Sequence, residues 1–281
     1  MRKLLTVSLV LLTAHLVMSA TLKLVGSDTL VRLGQRLATE YMRLHPEVRI
    51  KVSGGGSATG FEALIEGEAD ICEASRDMGP LEYAQAEDRG VQPFRVPIAR
   101  DGVVVYVHPD NPLKALSIDQ LKAVFMGRVS NYSEVGGPDL GITIYGRNNN
   151  SGTYFFFKQN VLNYAPYSTE VVELPSTASV VNAVAKDRNG IGYGGIAWSG
   201  DAKRLAVSVT DDAAAVGPTP ATVMSGEYPL SRYLYWYTDG VPSGDVKHLV
   251  NWALGEQGRE VTSQAGYIPL TERQAQANMV R

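Results

Sequence analysis

Short apolar runs alternate with segments of helical periodicity along most of the chain. Residues 22–25 (LKLV) are mostly apolar and predict a strand, and the apolar residues that follow recur at helical spacing until Pro46. Residues 48–52 repeat the strand pattern, and a glycine-rich turn separates them from a second helical segment. This β-α-β-α order predicts an α/β fold, built on a mostly parallel sheet with helices on its faces.

The rest of the chain continues the alternation. Apolar runs predict further strands at residues 101–108, 142–145, 190–194 and 230–238. Helical spacing predicts helices at residues 116–125, 154–162, 179–186 and 245–265. Ser117 is the expected N-cap of the first of these helices. Residues 211–220 combine aspartate, glycine and proline, which predicts a surface loop.

The first twenty residues depart from this pattern. Arg2 and Lys3 precede a mostly apolar run from Leu4 to Leu12, and the segment ends on the small residues Ser19 and Ala20. This three-part form is typical of a secretory signal peptide, so we expect export to the periplasm or another extracytoplasmic location. A membrane anchor is the alternative interpretation of residues 1–20, because the stretch is almost long enough to span a bilayer.

Composition and charge narrow the classes of partner. The chain has 281 residues, which suits one large domain or two compact lobes, and its net charge is −3. Loss of Arg2 and Lys3 with the signal peptide leaves 24 basic against 29 acidic residues, a net charge of −5. Such a chain has no excess of basic residues for nucleic acid, so we expect no nucleic-acid partner. The single cysteine, Cys72, excludes an internal disulfide and a lipid-attachment cysteine at the N-terminus.

Three turns that each join a strand to a helix carry the candidate chemistry. They are residues 26–29 (GSDT), residues 54–60 (GGGSATG) and residues 148–153 (NNNSGT), the last preceded by Arg147. Small hydroxyl and amide residues at a helix start are ordinary N-caps, and each turn alone has that interpretation. Three together, at the carboxyl ends of strands, predict a shared anion site made of backbone N–H groups, hydroxyls and one guanidinium.

Enzyme and metal motifs fit these positions poorly. The GGGSATG turn has no lysine for a phosphate-binding P-loop, and neither Ser57 nor Ser151 lies in a G-x-S-x-G nucleophile elbow. His45, His108 and His248 are too widely spaced for a metal-ligand pattern, so we expect no metal and no cofactor. Cys72 follows an apolar residue and is interpreted as a buried small hydrophobe.

At these same segments the chain resembles the periplasmic phosphate-binding proteins that serve phosphate ABC importers. The resemblance covers nearly the whole mature length, and the arginine followed after three residues by Ser-Gly-Thr, together with YPLSR, is its most specific part. It is carried by GSDTL at 26–30, GGGSATGF at 54–61, ADICEASRD at 69–77, LSIDQLKAVFMGRVSNYSEVGG at 116–137, RNNNSGTYF at 147–155, IGYGG at 191–195 and SGEYPLSRYLYWYT at 225–238.

The resemblance implies a two-lobed fold of the hinge-closing type II periplasmic-binding-protein class, joined by crossover strands. Since residues 101–107 and 230–238 look like the crossing strands, we expect one lobe at 21–98 with 231–281 and the other at 99–230. The implied partners are inorganic phosphate and the subunits of an ABC permease, and the implied state is a monomer. The implied ligand-binding residues, with Arg147 as the charged fork, are Ser27, Asp28, Thr29, Leu30, Ser57, Arg76, Arg147, Ser151, Gly152 and Thr153.

One departure from the family concerns selectivity. The family often has Ala-Ser-Asp where this chain has Ala-Ser-Arg, so Arg76 replaces a buried carboxylate that accepts the proton of phosphate. An unpaired buried acceptor rejects sulfate, which carries no proton. With Arg76 present, Asp28 or Asp77 is the candidate acceptor, or discrimination is weaker. Arg76 has the alternative interpretation of a salt bridge to Asp77 or Glu73 outside the cleft.

Three other functions are compatible with the same residues. The first keeps the cleft and changes the ligand to sulfate or another tetrahedral oxyanion, because of Arg76. The second is an anion sensor that never meets a permease. The third is an extracellular phosphoester hydrolase that uses Ser57 or Ser151 as nucleophile.

Overall fold

The computed structural model describes residues 21–198 and 200–281. The predicted signal peptide, residues 1–20, lies outside the described residues. Among the helices of the described part, none is long and apolar enough to cross a membrane.

Strands occur throughout the described residues. They are β1 (Thr21–Gly26), β2 (Arg49–Ser53), β3 (Ile71–Ala74), β4 (Pro93–Val107), β5 (Ala115–Ser117), β6 (Thr143–Arg147), β7 (Val172–Leu174), β8 (Gly190–Gly195), β9 (Lys203–Arg204), β10 (Ala206–Ser208), β11 (Ser231–Asp239) and β12 (Ile268–Pro269). The strands predicted near residues 22, 48, 101, 142, 190 and 230 are confirmed within a few residues, except that β4 begins eight residues before the predicted start.

Helices connect most of these strands. They are α1 (Val31–Leu44), α2 (Ser57–Ile65), α3 (Pro80–Asp88), α4 (Ile118–Phe125), α5 (Gly152–Asn160), α6 (Thr177–Lys186), α7 (Pro220–Ser225), α8 (Gly244–Leu254), α9 (Glu256–Gln264) and α10 (Glu272–Asn278). The predicted cap of α4 is confirmed, since the Ser117 hydroxyl accepts a hydrogen bond from the Gln120 backbone N–H at 3.0 Å.

The helix predicted over residues 245–265 is wrong as one element. It is broken at Gly255, whose φ of −68° and ψ of 175° are extended, so α8 ends there and α9 begins at the next residue. Residues on both sides keep helical spacing, and only the backbone of Gly255 shows the break.

The main sheet has the order β2-β1-β3-β11-β4-β8-β6-β7. The outer pairs β1–β2, β1–β3, β6–β8 and β6–β7 are parallel, as predicted. The centre is antiparallel, because β11 runs opposite to both of its neighbours and β4 runs opposite to β8. The prediction of a mostly parallel sheet therefore holds for the two flanks and fails at the junction.

Two large hydrophobic cores lie on either side of that junction, and a smaller cluster around Phe61 and Tyr237 lies beside the first. One collects buried residues from positions 22–99 and 234–280, and the other from positions 103–230 together with Ile268. We call the halves around these cores the first lobe and the second lobe. Strand β4 passes from the first to the second lobe and lies beside β11, so the predicted two-lobed α/β fold with crossing strands is confirmed.

Candidate functional site

The three turns predicted to share an anion meet between the two lobes. Together with the carboxyl end of β3, they bring together five hydroxyl side chains, each 2% exposed or less: Ser27, Thr29, Ser57, Ser75 and Thr153. We call this set the hydroxyl cluster. The first four belong to the first lobe, at the carboxyl ends of β1 and β3 and at the start of α2, and Thr153 belongs to the first turn of α5.

Hydrogen bonds join the hydroxyl cluster within and across the lobes. The Ser27 hydroxyl donates to Ser75 Oγ at 2.8 Å, and the Ser75 backbone N–H donates to Ser57 Oγ at 3.1 Å. Across the lobes, Thr29 Oγ1 and Thr153 Oγ1 lie 2.8 Å apart. The structure thus shows the lobes closed on one another at this point.

The helix starts carry further contacts between the lobes. The backbone N–H of Ala58, in the first turn of α2, donates to the carbonyl oxygen of Asn150 at 3.1 Å. Gly152, the first residue of α5, packs so closely on the first lobe that an added Cβ would lie 2.6 Å from Ser75 Oγ. Only a residue without a side chain fits at this helix start when the lobes are closed.

Two of the predicted ligand-binding residues also make hydrogen bonds within the turns themselves. The Leu30 backbone N–H donates to the carbonyl oxygen of Ser27 at 2.8 Å. The Ser151 hydroxyl caps α5 by accepting from the Tyr154 backbone N–H at 3.2 Å. For these two groups, the ordinary turn and N-cap interpretation describes what the structure shows.

Arg147 lies at the end of β6 with its side chain 2% exposed. Its guanidinium donates to Asp28 Oδ2 at 2.5 Å across the lobes, and to the carbonyl oxygen of Pro175 and the hydroxyl of Thr177 within its own lobe. The Nε–H is buried without an acceptor among the described residues. A buried donor of this kind is rare unless a ligand or water satisfies it.

Asp28 and Asp77, the two candidate proton acceptors, have different surroundings. Asp28 is only 14% exposed at its side chain, and its Oδ1 accepts the Gly55 backbone N–H at 3.2 Å beside the start of α2. The Asp77 carboxylate is 59% exposed and pairs with Arg95. Asp28 is therefore the one of the two that faces the region between the lobes.

Arg76 is not brought into the hydroxyl cluster. Its guanidinium forms two hydrogen bonds of 2.6 Å to the carboxylate of Glu82 and is sandwiched between Phe61 and Phe155. The ion pair expected as the alternative does form, but the partners named for it are wrong, because Asp77 pairs with Arg95 and Glu73 is enclosed in the first core. The aromatic rings and Glu82 hold the guanidinium away from the hydroxyls.

Glu73 lies directly beneath the site. Its backbone carbonyl accepts the Ser27 N–H at 2.8 Å, and its side chain is fully buried with Oε1 accepting from Trp236 Nε1 at 3.1 Å. Burial raises the pKa of this carboxyl from 4.5 to about 8, and the Trp236 hydrogen bond lowers it only in part. Glu73 is consequently protonated at neutral pH.

Arg232 and Asp101 form a second buried ion pair, which the sequence patterns did not predict. They are cross-strand partners on β11 and β4, with Arg232 Nη2 2.8 Å from Asp101 Oδ2. Burial raises the pKa of Asp101 and lowers that of Arg232, while the attraction between the two charges opposes both shifts. The alternation of side chains along β11 is the sequence signal that points to Arg232. Arg232 lies on the same face of the strand as Leu234 and Trp236, which are both fully buried.

Ser75 was also missed. It follows β3, a strand of only four residues that the apolar pattern did not resolve. Because β3 is the parallel neighbour of β1, its carboxyl end brings Ser75 beside Ser27.

The geometry of the hydroxyl cluster suits hydrogen-bond donation to a ligand rather than attack by a nucleophile that a base activates. Within the described residues, the hydrogen bonds of the cluster hydroxyls go to other hydroxyls, to backbone groups and to Arg232. No cluster of histidine, cysteine and carboxylate side chains in the described part of the chain has the geometry of a metal site. Cys72 is fully buried against Phe61 and Tyr237, as its interpretation as a small hydrophobe predicts.

Comparison with known proteins places this geometry in context. The family model of the PBP superfamily domain matches residues 16–257. The phosphate-binding protein PstS of Pseudomonas aeruginosa is 37% identical over 278 residues, covering 92% of this chain and 85% of that protein. PstS of Staphylococcus haemolyticus is 32% identical, covering 88% of this chain and 80% of that protein.

A solved structure agrees with the fold. The crystal structure of an ABC-type phosphate transport receptor from Vibrio cholerae superposes with a TM-score of 0.71, covering 88% of this chain and 99% of that one. Its sequence identity is 24%, so the match shows a shared fold.

Proposed function

The chain belongs to the PBP superfamily, among the relatives of the phosphate-binding protein PstS, and from that premise we propose that it captures inorganic phosphate between its lobes for an ABC importer. The observation that carries the proposal is the meeting of three strand-to-helix turns, five buried hydroxyls and Arg147 at one point between the lobes. Such a point offers many short-range donors to a small tetrahedral anion.

The proposed ligand set follows the geometry. The donors are the backbone N–H groups of Ser57 at the start of α2 and of Gly152 and Thr153 at the start of α5, the hydroxyl cluster and the unpartnered Nε–H of Arg147. The proposed phosphate ligands keep five of the residues expected from the sequence, and Ser75 is added to them. The five residues are Ser27, Thr29, Ser57, Gly152 and Thr153. Leu30 and Ser151 support the site by shaping its turns, and Arg76 is left out because Glu82 holds its guanidinium elsewhere.

The attraction for the anion is local rather than global. The whole chain carries a net charge of −3, and both buried guanidinium groups are paired with carboxylates. Hydrogen bonds and helix-terminal dipoles act within a few ångströms, so a negatively charged protein is able to hold a negatively charged ion.

Calorimetry tests the proposal directly. Protein freed of ligand by unfolding and refolding is titrated with phosphate and, separately, with sulfate. We expect saturable heat with phosphate and a rise in melting temperature when phosphate is added. Absence of both at millimolar phosphate would refute phosphate binding.

Replacement of Arg147 by alanine is expected to weaken phosphate binding by about 1.5–3 kcal/mol, roughly 10- to 150-fold, the range for hydrogen bonds to charged groups. The reason is the loss of the buried guanidinium and of its pair with Asp28. Isothermal titration measures the dissociation constant. Arg188→Ala is the matched control, because Arg188 is an exposed arginine of the same lobe that pairs with Asp110. Equal affinities for the two variants would remove Arg147 from the site.

Asp28 is our proposed acceptor for the proton that phosphate carries at neutral pH. It is the candidate carboxylate that faces the other lobe, beside Arg147 and the start of α2. A carboxylate at this place accepts a hydrogen bond from phosphate and repels fully ionised sulfate.

The substitution Asp28→Asn is expected to lower the preference for phosphate over sulfate by about tenfold or more, because an amide donates where the carboxylate accepted. Competition titrations with the two anions measure this ratio, which is insensitive to a loss that affects both anions equally. Asp77→Asn removes the exposed alternative and serves as the control. A ratio that stays the same in Asp28→Asn while falling in Asp77→Asn would assign the role to Asp77.

We also propose that the protein binds phosphate without catalysing a reaction. The cluster serines have no histidine or carboxylate partner among the described residues, which a serine nucleophile needs for activation. Turnover of a chromogenic phosphoester that is lost in Ser57→Ala would contradict this part of the proposal.

The remaining parts of the proposal concern cellular context. We propose export by the signal peptide at residues 1–20, delivery of phosphate to a permease, and a monomeric state. We also propose lobe boundaries at 21–98 with 231–281 and at 99–230, which the positions of the two hydrophobic cores support. Mass spectrometry of the exported protein measures cleavage, and light scattering measures the monomeric state.

A further inference from the structure

The crossing strands contribute an ion pair that contacts both lobes. Asp101 of β4 is fully buried, and the Arg232 side chain on β11 is 4% exposed. The Arg232 Nε–H and one Nη2–H donate to Asp101 Oδ2 at 3.0 and 2.8 Å, and Asp101 Oδ1 accepts the Ile196 backbone N–H at 3.0 Å. The guanidinium is therefore held in one orientation between the crossing strands.

From that position Arg232 reaches the hydroxyl cluster. Its Nη1 donates to the carbonyl oxygen of Ser75 at 2.9 Å, in the first lobe. Its Nη2 lies 3.0 Å from Thr153 Oγ1 in the second lobe and 3.4 Å from Thr29 Oγ1 in the first. The ring of Phe156 lies against the guanidinium, 5.2 Å from ring centroid to Cζ. One side chain thus touches both lobes and both crossing strands.

The number of hydroxyl hydrogens at these contacts limits which hydrogen bonds Thr29 and Thr153 are able to donate. A guanidinium has donors and no acceptor, so both threonine oxygens face Arg232 as acceptors. The two threonines carry one hydroxyl hydrogen each, and one of these hydrogens lies between the two oxygens, which are 2.8 Å apart. A single hydroxyl hydrogen of the pair is left to point at another group.

We infer that Arg232 is a positioning residue for the bound anion: held by Asp101, it orients the Thr29 and Thr153 hydroxyls as the lobes close, so that one of them donates to phosphate. The inference rests on the proposed function. Because Asp101 neutralises the charge of Arg232, the pair adds little long-range attraction for an anion. The pair instead sets the direction in which the Thr29 and Thr153 hydroxyls donate their hydrogen bonds.

A double-mutant cycle tests this role. One arm replaces the pair together, Arg232→Gln with Asp101→Asn, so that no unpaired charge stays buried. The other arm is Thr153→Val, which removes one of the oriented hydroxyls at nearly constant shape. Phosphate dissociation constants are measured by calorimetry for the wild type, each arm and the combination.

We expect the pair replacement to weaken phosphate binding roughly 10- to 100-fold in the wild-type background. In the Thr153→Val background, the same replacement is expected to weaken it less than about threefold, since the hydrogen-bonded pair of threonine hydroxyls that Arg232 orients is already broken. A merely structural role predicts the same fold-change in both backgrounds. Equal fold-changes, or an unchanged dissociation constant, would overturn the inference.

Arg232→Lys provides the second variant if the pair replacement does not fold. Lysine keeps the charge beside Asp101, yet its single nitrogen lacks the planar fork that serves Asp101, Ser75 and Thr153 together. We expect weaker phosphate binding by a ligand-free protein that still unfolds cooperatively, and unchanged binding would again overturn the inference. Phosphate binding by the wild type tests the proposed function separately, so the two failures are distinguishable.

Discussion

Replacing Gly152 with alanine is expected to weaken phosphate binding by about 100-fold, near the upper end of the 1–3 kcal/mol cost of overpacking. The new Cβ would lie 2.6 Å from Ser75 Oγ and 3.0 Å from Ser57 Cβ, both in the opposite lobe. A hydroxyl is able to rotate away, but Ser57 Cβ is fixed by the backbone of α2. The methyl group therefore holds the lobes apart at the point where the anion is proposed to bind.

The same substitution should leave the ligand-free protein stable. Alanine is a better helix former than glycine, and the clash involves the other lobe rather than α5 itself. Thermal unfolding without phosphate and titration with phosphate separate the two effects. Gly217→Ala is the control, because a Cβ there meets nothing within 4 Å. Wild-type affinity in Gly152→Ala would show that closure at this helix start is not needed for binding.

The free energy of unfolding of the wild-type protein is expected to fall as the pH rises from about 4.5 to 8. Replacing Glu73 with glutamine is expected to remove most of that fall. Burial raises the pKa of the Glu73 carboxyl to about 8 in the folded protein. The folded state thus holds this proton over a range in which the unfolded chain has lost it, and stability falls as pH rises through that range. The full loss from this one group is roughly 5 kcal/mol, from a shift of about 3.5 units at 1.36 kcal/mol each.

The sign can be checked at both ends of the range. Below about pH 4.5 the carboxyl is protonated in both states, and Glu73→Gln is expected to change the pH dependence little. At pH 8 the glutamine variant should be more stable than the wild type, because its amide oxygen still accepts from Trp236 and no buried group ionises.

Urea unfolding at several pH values measures the effect. Glu62→Gln removes an exposed charge from α2 and is the control for a general change in net charge. Parallel pH profiles of Glu73→Gln and wild type would show that Glu73 does not titrate in this range.

The local pattern of apolar and polar residues predicted most of the strands and helices of the fold. Apolar runs and helical spacing located β1, α1, β8 and α6, because each buries one face or a whole strand in a core. The pattern failed where backbone conformation alone decides, as at Gly255 between α8 and α9. It also failed for β3, where four buried residues are too few to separate a strand from a loop.

The candidate site was readable only in part. The turns with Ser27, Ser57 and Thr153 follow strands directly, and the carboxyl ends of neighbouring strands meet at one edge. Arg76 shows the limit of reasoning from position along the chain. It is adjacent in sequence to Ser75, yet Glu82 and the rings of Phe61 and Phe155 hold its guanidinium apart from the hydroxyls.

By itself, the sequence determined the α/β alternation, the strands near residues 101 and 230 and three helix starts suited to an anion, since these depend on neighbours within a few residues. Only the tertiary structure decided which side chains meet. Arg147 pairs with Asp28 from 119 residues away, and Arg232 reaches Thr29 from 203 residues away. The physical reason is that a hydrogen bond is directional and spans about 3 Å, so it exists only after two lobes with separate cores have closed on each other.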